Sequence, residues 1–112
     1  MNIAITFRQM EATEAVKVYA TDKVAKLQKF MKQPMKAQVT LSCQHQQHRA
    51  EVDIGAGGER YHAHEASEDM YASIDRLIDK VERQIRAARE VATANRKGAE
   101  RASERLLPPT ED

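Results

Sequence analysis

Lysines fall at every third position as Lys23, Lys26, Lys29 and Lys32, and the spacing returns as Lys80, Arg83, Arg86 and Arg89. Arg76 stands four residues before Lys80. At about 100° per residue, Arg76, Lys80 and Arg83 lie within about 60° of one another on a helix. Cations fixed in this way neutralise phosphates, and that neutralisation is the sequence-independent part of affinity for RNA. One lysine on a helix is ordinarily only a solvated group. Two helices with the same spacing, on one side of a fold, would form a cationic wall. The formal net charge of +1 conceals the pattern. Residues 17–36 carry six lysines against Asp22, a net +5, and residues 76–89 carry a net +3. Between them, residues 37–75 carry a net −5.

Other chemistries find less support. His45, His48, His62, His64 and Cys43 could ligate a metal, but the paired spacing of a structural zinc site is missing. They read as polar histidines on a solvent-facing sheet surface. Cys43 keeps register with Val39 and Leu41 as a small core-facing residue. Gly55-Ala56-Gly57-Gly58 precedes a strand, not a helix, and so lacks the helix N-terminus that binds phosphate. No nucleophile elbow, P-loop or dinucleotide fingerprint is present. A small metal enzyme using the histidines is the alternative from another class; the expectation is no catalytic residue, no metal and no cofactor.

The elements that must position the cations follow from hydrophobic period. Ile3, Ile5 and Phe7 alternate over residues 2–8, which predicts a half-buried strand. Thr13 is a hydroxyl N-cap, and Val16, Tyr19, Ala20, Val24, Leu27, Phe30 and Met31 predict one helix that Pro34 stops. Met35 to Cys43 alternate as a second strand, Gln44 to Gln47 turn the chain, and residues 49–54 make a third. The glycines at 55–58 predict a hairpin into a fourth strand at 59–65. Ser67 is the expected N-cap of a long amphipathic helix whose apolar positions run from Met70 to Ala88. After about Ala94 the period fades, so residues 1–94 are expected to form one domain and 95–112 a flexible charged tail. The order β-α-β-β-β-α implies an α+β fold, a four-stranded sheet with two helices packed on one face.

Composition sets bounds. Aromatic residues are only 4% and Trp is absent, so aliphatic side chains must supply the core. The first residues lack the basic and long apolar regions of a signal peptide, so none is expected, and no apolar run approaches the roughly 20 residues that span a bilayer. A single cysteine fits a reducing cytoplasm. The expected setting is cytoplasmic, with no membrane partner.

The segment Glu68-Asp69-Met70-Tyr71-Ala72-Ser73-Ile74-Asp75-Arg76-Leu77-Ile78-Asp79-Lys80-Val81-Glu82-Arg83-Gln84-Ile85 resembles the signature of the ribosome hibernation factors. Lys23-Val24-Ala25-Lys26-Leu27 and the Gly57-Gly58-Glu59 turn support the likeness, which covers about residues 1–90. The resemblance implies binding to the 30S subunit and the 70S ribosome near the decoding centre, against 16S ribosomal RNA, where mRNA and tRNA would otherwise sit. It implies rRNA contact at Lys23, Lys26, Lys80 and Arg83; Lys29, Arg76, Arg86 and Arg89 join them by charge position alone. Gln9-Met10-Glu11-Ala12-Thr13 and the tail segment Lys97 to Ala102 resemble the protein Y branch, although the tail lacks that branch's acidic character. The short promoting factors, which pair ribosomes into 100S particles, are the alternative. A monomer is expected off the ribosome. A free double-stranded RNA-binding domain is a further alternative, but such domains place cations at the start of the last helix. Here that start is Ser67-Glu68-Asp69.

Overall fold

The computed structural model describes residues 1–97. β1 (Asn2–Arg8) leads to α1 (Glu14–Ala25), then β2 (Met35–Gln44), β3 (Gln47–Ala56), β4 (Glu59–Ser67) and α2 (Met70–Lys97). The sheet order is β1-β2-β3-β4, with β1 parallel to β2 and the other neighbours antiparallel. A parallel pair needs a crossover, which α1 supplies; the two later connections are tight hairpins. The α+β architecture with two helices on one face of a four-stranded sheet is therefore present.

The core lies between that face and the helices. Val39, Leu41, Val52 and Ile54 project from the sheet against Val24, Leu27, Ile74, Leu77, Val81 and Ile85, all buried. In register across the sheet, Ile5, Val39, Val52 and Ala63 form one inward row. The open face carries the alternate residues. Its rows are Asn2-Lys36-Gly55-Arg60, Ala4-Gln38-Asp53-His62, Thr6-Thr40-Glu51-His64 and Arg8-Ser42-Arg49-Ala66. None is a large apolar residue, so this face needs no cover.

Three local expectations are corrected. The first helix does not run unbroken to Met31: α1 ends at Ala25 and the chain tightens into a 3₁₀ segment, Lys26–Phe30. Three residues per turn suits the apolar spacing Val24, Leu27, Phe30. The Gln28 side chain fixes the exit, donating to Gln33 O at 2.9 Å and accepting from Met35 N at 2.8 Å. Secondly, Ser67 is not the N-cap of α2 but the end of β4. Asp69 caps the helix, its carboxylate accepting from Ala72 N at 3.3 Å. The Ser67 hydroxyl instead lies 2.7 Å from that of Ser73. Thirdly, His48 does not face solvent on the open side. It pairs in register with Cys43 and lies half-buried on the helix side, its Nε2 3.8 Å from Cys43 Sγ. Cys43 is correspondingly half-buried, at the end of the core.

α2 continues to Lys97, past the expected end at Ala94, through Asn95, Arg96 and Lys97, of which Arg and Lys have good helix propensity. The remainder of the expected tail, 98–112, lies outside the described residues.

Candidate nucleic-acid interface

The two cation-bearing helices meet along a polar seam. Tyr19 on α1 and Tyr71 on α2 stack edge to face with centroids 4.8 Å apart. The Tyr19 hydroxyl donates to Asp75 at 2.6 Å, and this hydrogen bond is the main cause that raises its pKa above the ordinary value. Lys23 sits over the Tyr19 ring at 5.3 Å and 3.7 Å from Asp75. Farther along, Phe30 gathers three of the expected cations. Lys29 Nζ lies 5.3 Å from its ring centroid and the Arg86 guanidinium 5.5 Å away. The Arg89 guanidinium donates to Phe30 O. These contacts join the 3₁₀ segment to α2 and bring Lys29, Arg86 and Arg89 together, although 57 or more residues separate Lys29 from the others in sequence.

The α2 row behaves differently. Lys80 bends toward β4, donating to His64 O at 3.2 Å and pairing with Glu65 at 3.0 Å. Gln84 donates to His62 O at 3.2 Å. Both side chains occupy the outer carbonyls of β4, an edge strand otherwise open to pairing. Arg83 pairs with Asp79, and Arg86 with Glu82 at 2.7 Å, both one helical turn apart. Arg89 approaches Glu59 at 3.8 Å. Among the described residues, Arg76, Lys26 and Lys29 have no carboxylate within 4.0 Å.

Five of the eight expected cations thus carry a carboxylate neighbour. The wall is an alternation of cations with Asp75, Asp79 and Glu82, not an unbroken positive strip. The Arg83 and Arg86 pairs are solvent-exposed, with those side chains 76% and 63% accessible, whereas the pairs of Lys23, Lys80 and Arg89 are partly covered. Exposed pairs contribute at most about 1 kcal/mol and exchange readily for a phosphate. What the sequence did not reveal was the organising role of aromatic rings. Tyr19, Phe30 and Tyr71 read as members of apolar stripes; their positions at the helix–helix seam depend on how the helices cross.

Among the described residues no three His, Cys, Asp or Glu side chains are arranged to hold a metal ion. His62 is instead held between Asp53, at 2.5 Å, and Glu51, at 3.2 Å.

Residues 3–92, nearly all of the described chain, match the model of the sigma 54 modulation protein / S30EA ribosomal protein family. The chain belongs to that family. Its relatives include the ribosome hibernation promoting factor of Salmonella typhimurium, 35% identical over 85 residues, covering 76% of this chain and 90% of the relative. The Pseudomonas putida factor of the same name is 28% identical over 99 residues, covering 88% and 97%. Among solved structures, the N-terminal domain of Thermus thermophilus protein Y aligns with a TM-score of 0.71 at 34% identity. That alignment covers 76% of this chain and 96% of the domain. Proteins similar to this chain thus carry both names raised by the sequence, hibernation promoting factor and protein Y.

Proposed function

We propose that the chain is a ribosome hibernation factor that binds the small subunit at the decoding region and blocks mRNA and tRNA there, in the manner of protein Y. The family match across residues 3–92 carries this reading, because it takes in both cation-bearing helices. The partners are the 30S subunit and the 70S ribosome, and the ligand atoms are phosphates of 16S ribosomal RNA. The contacts come from Lys23, Lys26, Lys29, Arg76, Lys80, Arg83, Arg86 and Arg89. The factor acts in the cytoplasm, as a monomer before binding, by occupying space and not by catalysis; it requires no cofactor.

The test is co-sedimentation with 30S and 70S particles over a salt series. Arg83→Ala with Arg86→Ala removes two exposed cations that brace no strand. Binding should weaken and the log–log salt slope should fall by about two units, one for each phosphate contact. Unaltered binding and slope in the folded variant would refute the interface.

A second reading is favoured by the hibernation promoting factors among the relatives: pairing of ribosomes into 100S particles. Sucrose gradients separate the two. The protein Y-like reading expects 70S particles with the full chain, even when a pairing factor is added. It expects pairing to return when residues 98–112 are removed. Pairing driven by the full chain itself would establish the promoting role.

A further inference from the structure

The open face of the sheet has a trough of about 880 Å³ at the end where β2 begins and β3 finishes. One row of the sheet crosses its floor. Lys36, Gly55 and Arg60 are consecutive register partners on β2, β3 and β4. With strands about 4.8 Å apart, the backbones of Lys36 and Arg60 stand roughly 10 Å from one another, with only glycine between. Gly55 contributes no side chain, and the Arg60 guanidinium lies 3.7 Å from the position its Cβ would take. Among the described residues neither Lys36 nor Arg60 has a carboxylate within 4.0 Å. The carboxylates of the face, Asp53 and Glu51, pair with His62 through one oxygen each, Oδ1 and Oε2, and neither reaches Lys36 or Arg60. Two unneutralised cations over a concave floor focus a positive potential.

The next row changes character. Gln38, Asp53 and His62 line the same trough. Both His62 nitrogens are engaged, by Asp53 Oδ1 and Glu51 Oε2, and Gln38 Nε2 donates to Thr6 Oγ1 and Val39 O, which leaves Gln38 Oε1 and Asp53 Oδ2 as acceptors for hydroxyls and amines. We propose that this trough is a binding site for a small phosphate ester of nucleotide size. Its phosphate sits between Lys36 and Arg60 above Gly55, and its hydroxyl- or amine-bearing body lies toward Gln38 and Asp53. A polyanion running along the strands would meet Asp53 and then Glu51, whose charge repels further phosphates; a ligand with one anionic end and one neutral end does not. The volume falls within the range of small-molecule sites. The site lies on the sheet face opposite the helices and is independent of the proposed ribosome contacts.

The experiment is an NMR titration of the full chain, following backbone amides. The probes are adenosine and guanosine monophosphate, ribose 5-phosphate, inorganic phosphate and a short oligoribonucleotide. A mononucleotide or the sugar phosphate should cause saturable shifts at Lys36, Gly55 and Arg60 and at Gln38 and Asp53, with tighter binding than inorganic phosphate. Lys36→Ala and Arg60→Ala should each weaken it about tenfold, the loss of one charge-assisted contact. Gly55→Val fills the floor without altering charge and suits a strand, since its Cβ meets only an ordinary contact. It should abolish the shifts while the spectrum remains that of the folded protein. Equal response to inorganic phosphate alone, binding only of the oligonucleotide, or undiminished binding by Gly55→Val would each overturn the proposal.

Discussion

Single side chains hold the ends of this fold together, and Ser73 shows how. It is the only fully buried polar residue among those described, and it lies on the core side of α2. Its hydroxyl donates to His48 O at 2.6 Å and meets the Ser67 hydroxyl at 2.7 Å. Ser73→Ala preserves packing volume but strands a carbonyl, so a loss of about 1–3 kcal/mol is expected in urea denaturation. A wild-type midpoint in that variant would disprove the role. Tyr61 gives a pH-dependent counterpart. Burial first, and the hydrogen bond to Glu59 at 2.7 Å second, push its phenol up to about 12, while Arg89 partly opposes them. The folded pKa exceeds the unfolded value near 10, so this contribution is complete below pH 10 and is lost as pH rises toward 12. Urea midpoints at stepped alkaline pH should therefore fall less steeply for Tyr61→Phe than for the wild type. Lysine titration is common to both proteins and cancels in the comparison. The alternation of β4 put Tyr61 on the inner face, but its pairing with Glu59, two residues away on the same strand, became visible only in the structure.

At the scale of elements, the two hairpins use different solutions to the same geometric demand. Both turns have two residues, and the twist of paired strands favours left-handed backbone in such turns. Between β3 and β4, Gly57 supplies φ +62°, and a Cβ there would come within 2.7 Å of Gln33 Cγ. Gly57→Ala should cost about 1–2 kcal/mol from backbone strain alone. Between β2 and β3, His45 and Gln46 take φ +52° and +65° without glycine. Gln46→Gly relieves that strain, offset in part by a more flexible unfolded chain, and should raise stability by up to about 1 kcal/mol. Thermal melts of the two variants should move in opposite directions; a shared sign would contradict the turn assignment. The glycines made the second hairpin legible in sequence. The first was read only as a polar turn, because nothing in Gln44 to Gln47 signals left-handed backbone. The same limit explains the end of α1: apolar positions at spacing three and four fit a helix to Met31 as well as one that tightens after Ala25, and the Gln28 hydrogen bonds that hold the exit at Gln33 and Met35 leave no mark on the apolar period.

The molecule as a whole was legible where one periodicity reported one face, and less so where function depends on two elements at once. Alternation in four strands and a stripe on each helix defined the sheet, its inner face and the side on which both helices lie. The cations could be placed on helices in the same way. Their mutual arrangement could not, because the partners of Lys23 and Arg89, Asp75 and Glu59, come from distant segments. That arrangement matters for the proposed role. A molecule with net charge of only +1 gains little long-range attraction to RNA, so binding must come from short-range exchange of carboxylates for phosphates. On that proposal Asp79 and Glu82, which pair with Arg83 and Arg86, would compete with the ribosome for them. Replacing them as Asp79→Asn with Glu82→Gln leaves side-chain size nearly unchanged and sacrifices two exposed pairs, each contributing roughly 0.3–0.5 kcal/mol to the helix. Ribosome affinity at moderate salt should rise severalfold, while the melting temperature falls only slightly. The gain should shrink at high salt, because the repulsion removed acts over a Debye length of about 10 Å at 0.1 M and far less at 1 M. Sedimentation binding curves at two salt concentrations measure both effects. Affinity that falls in the double variant would mean that these carboxylates hold the arginines in their binding positions instead of competing for them.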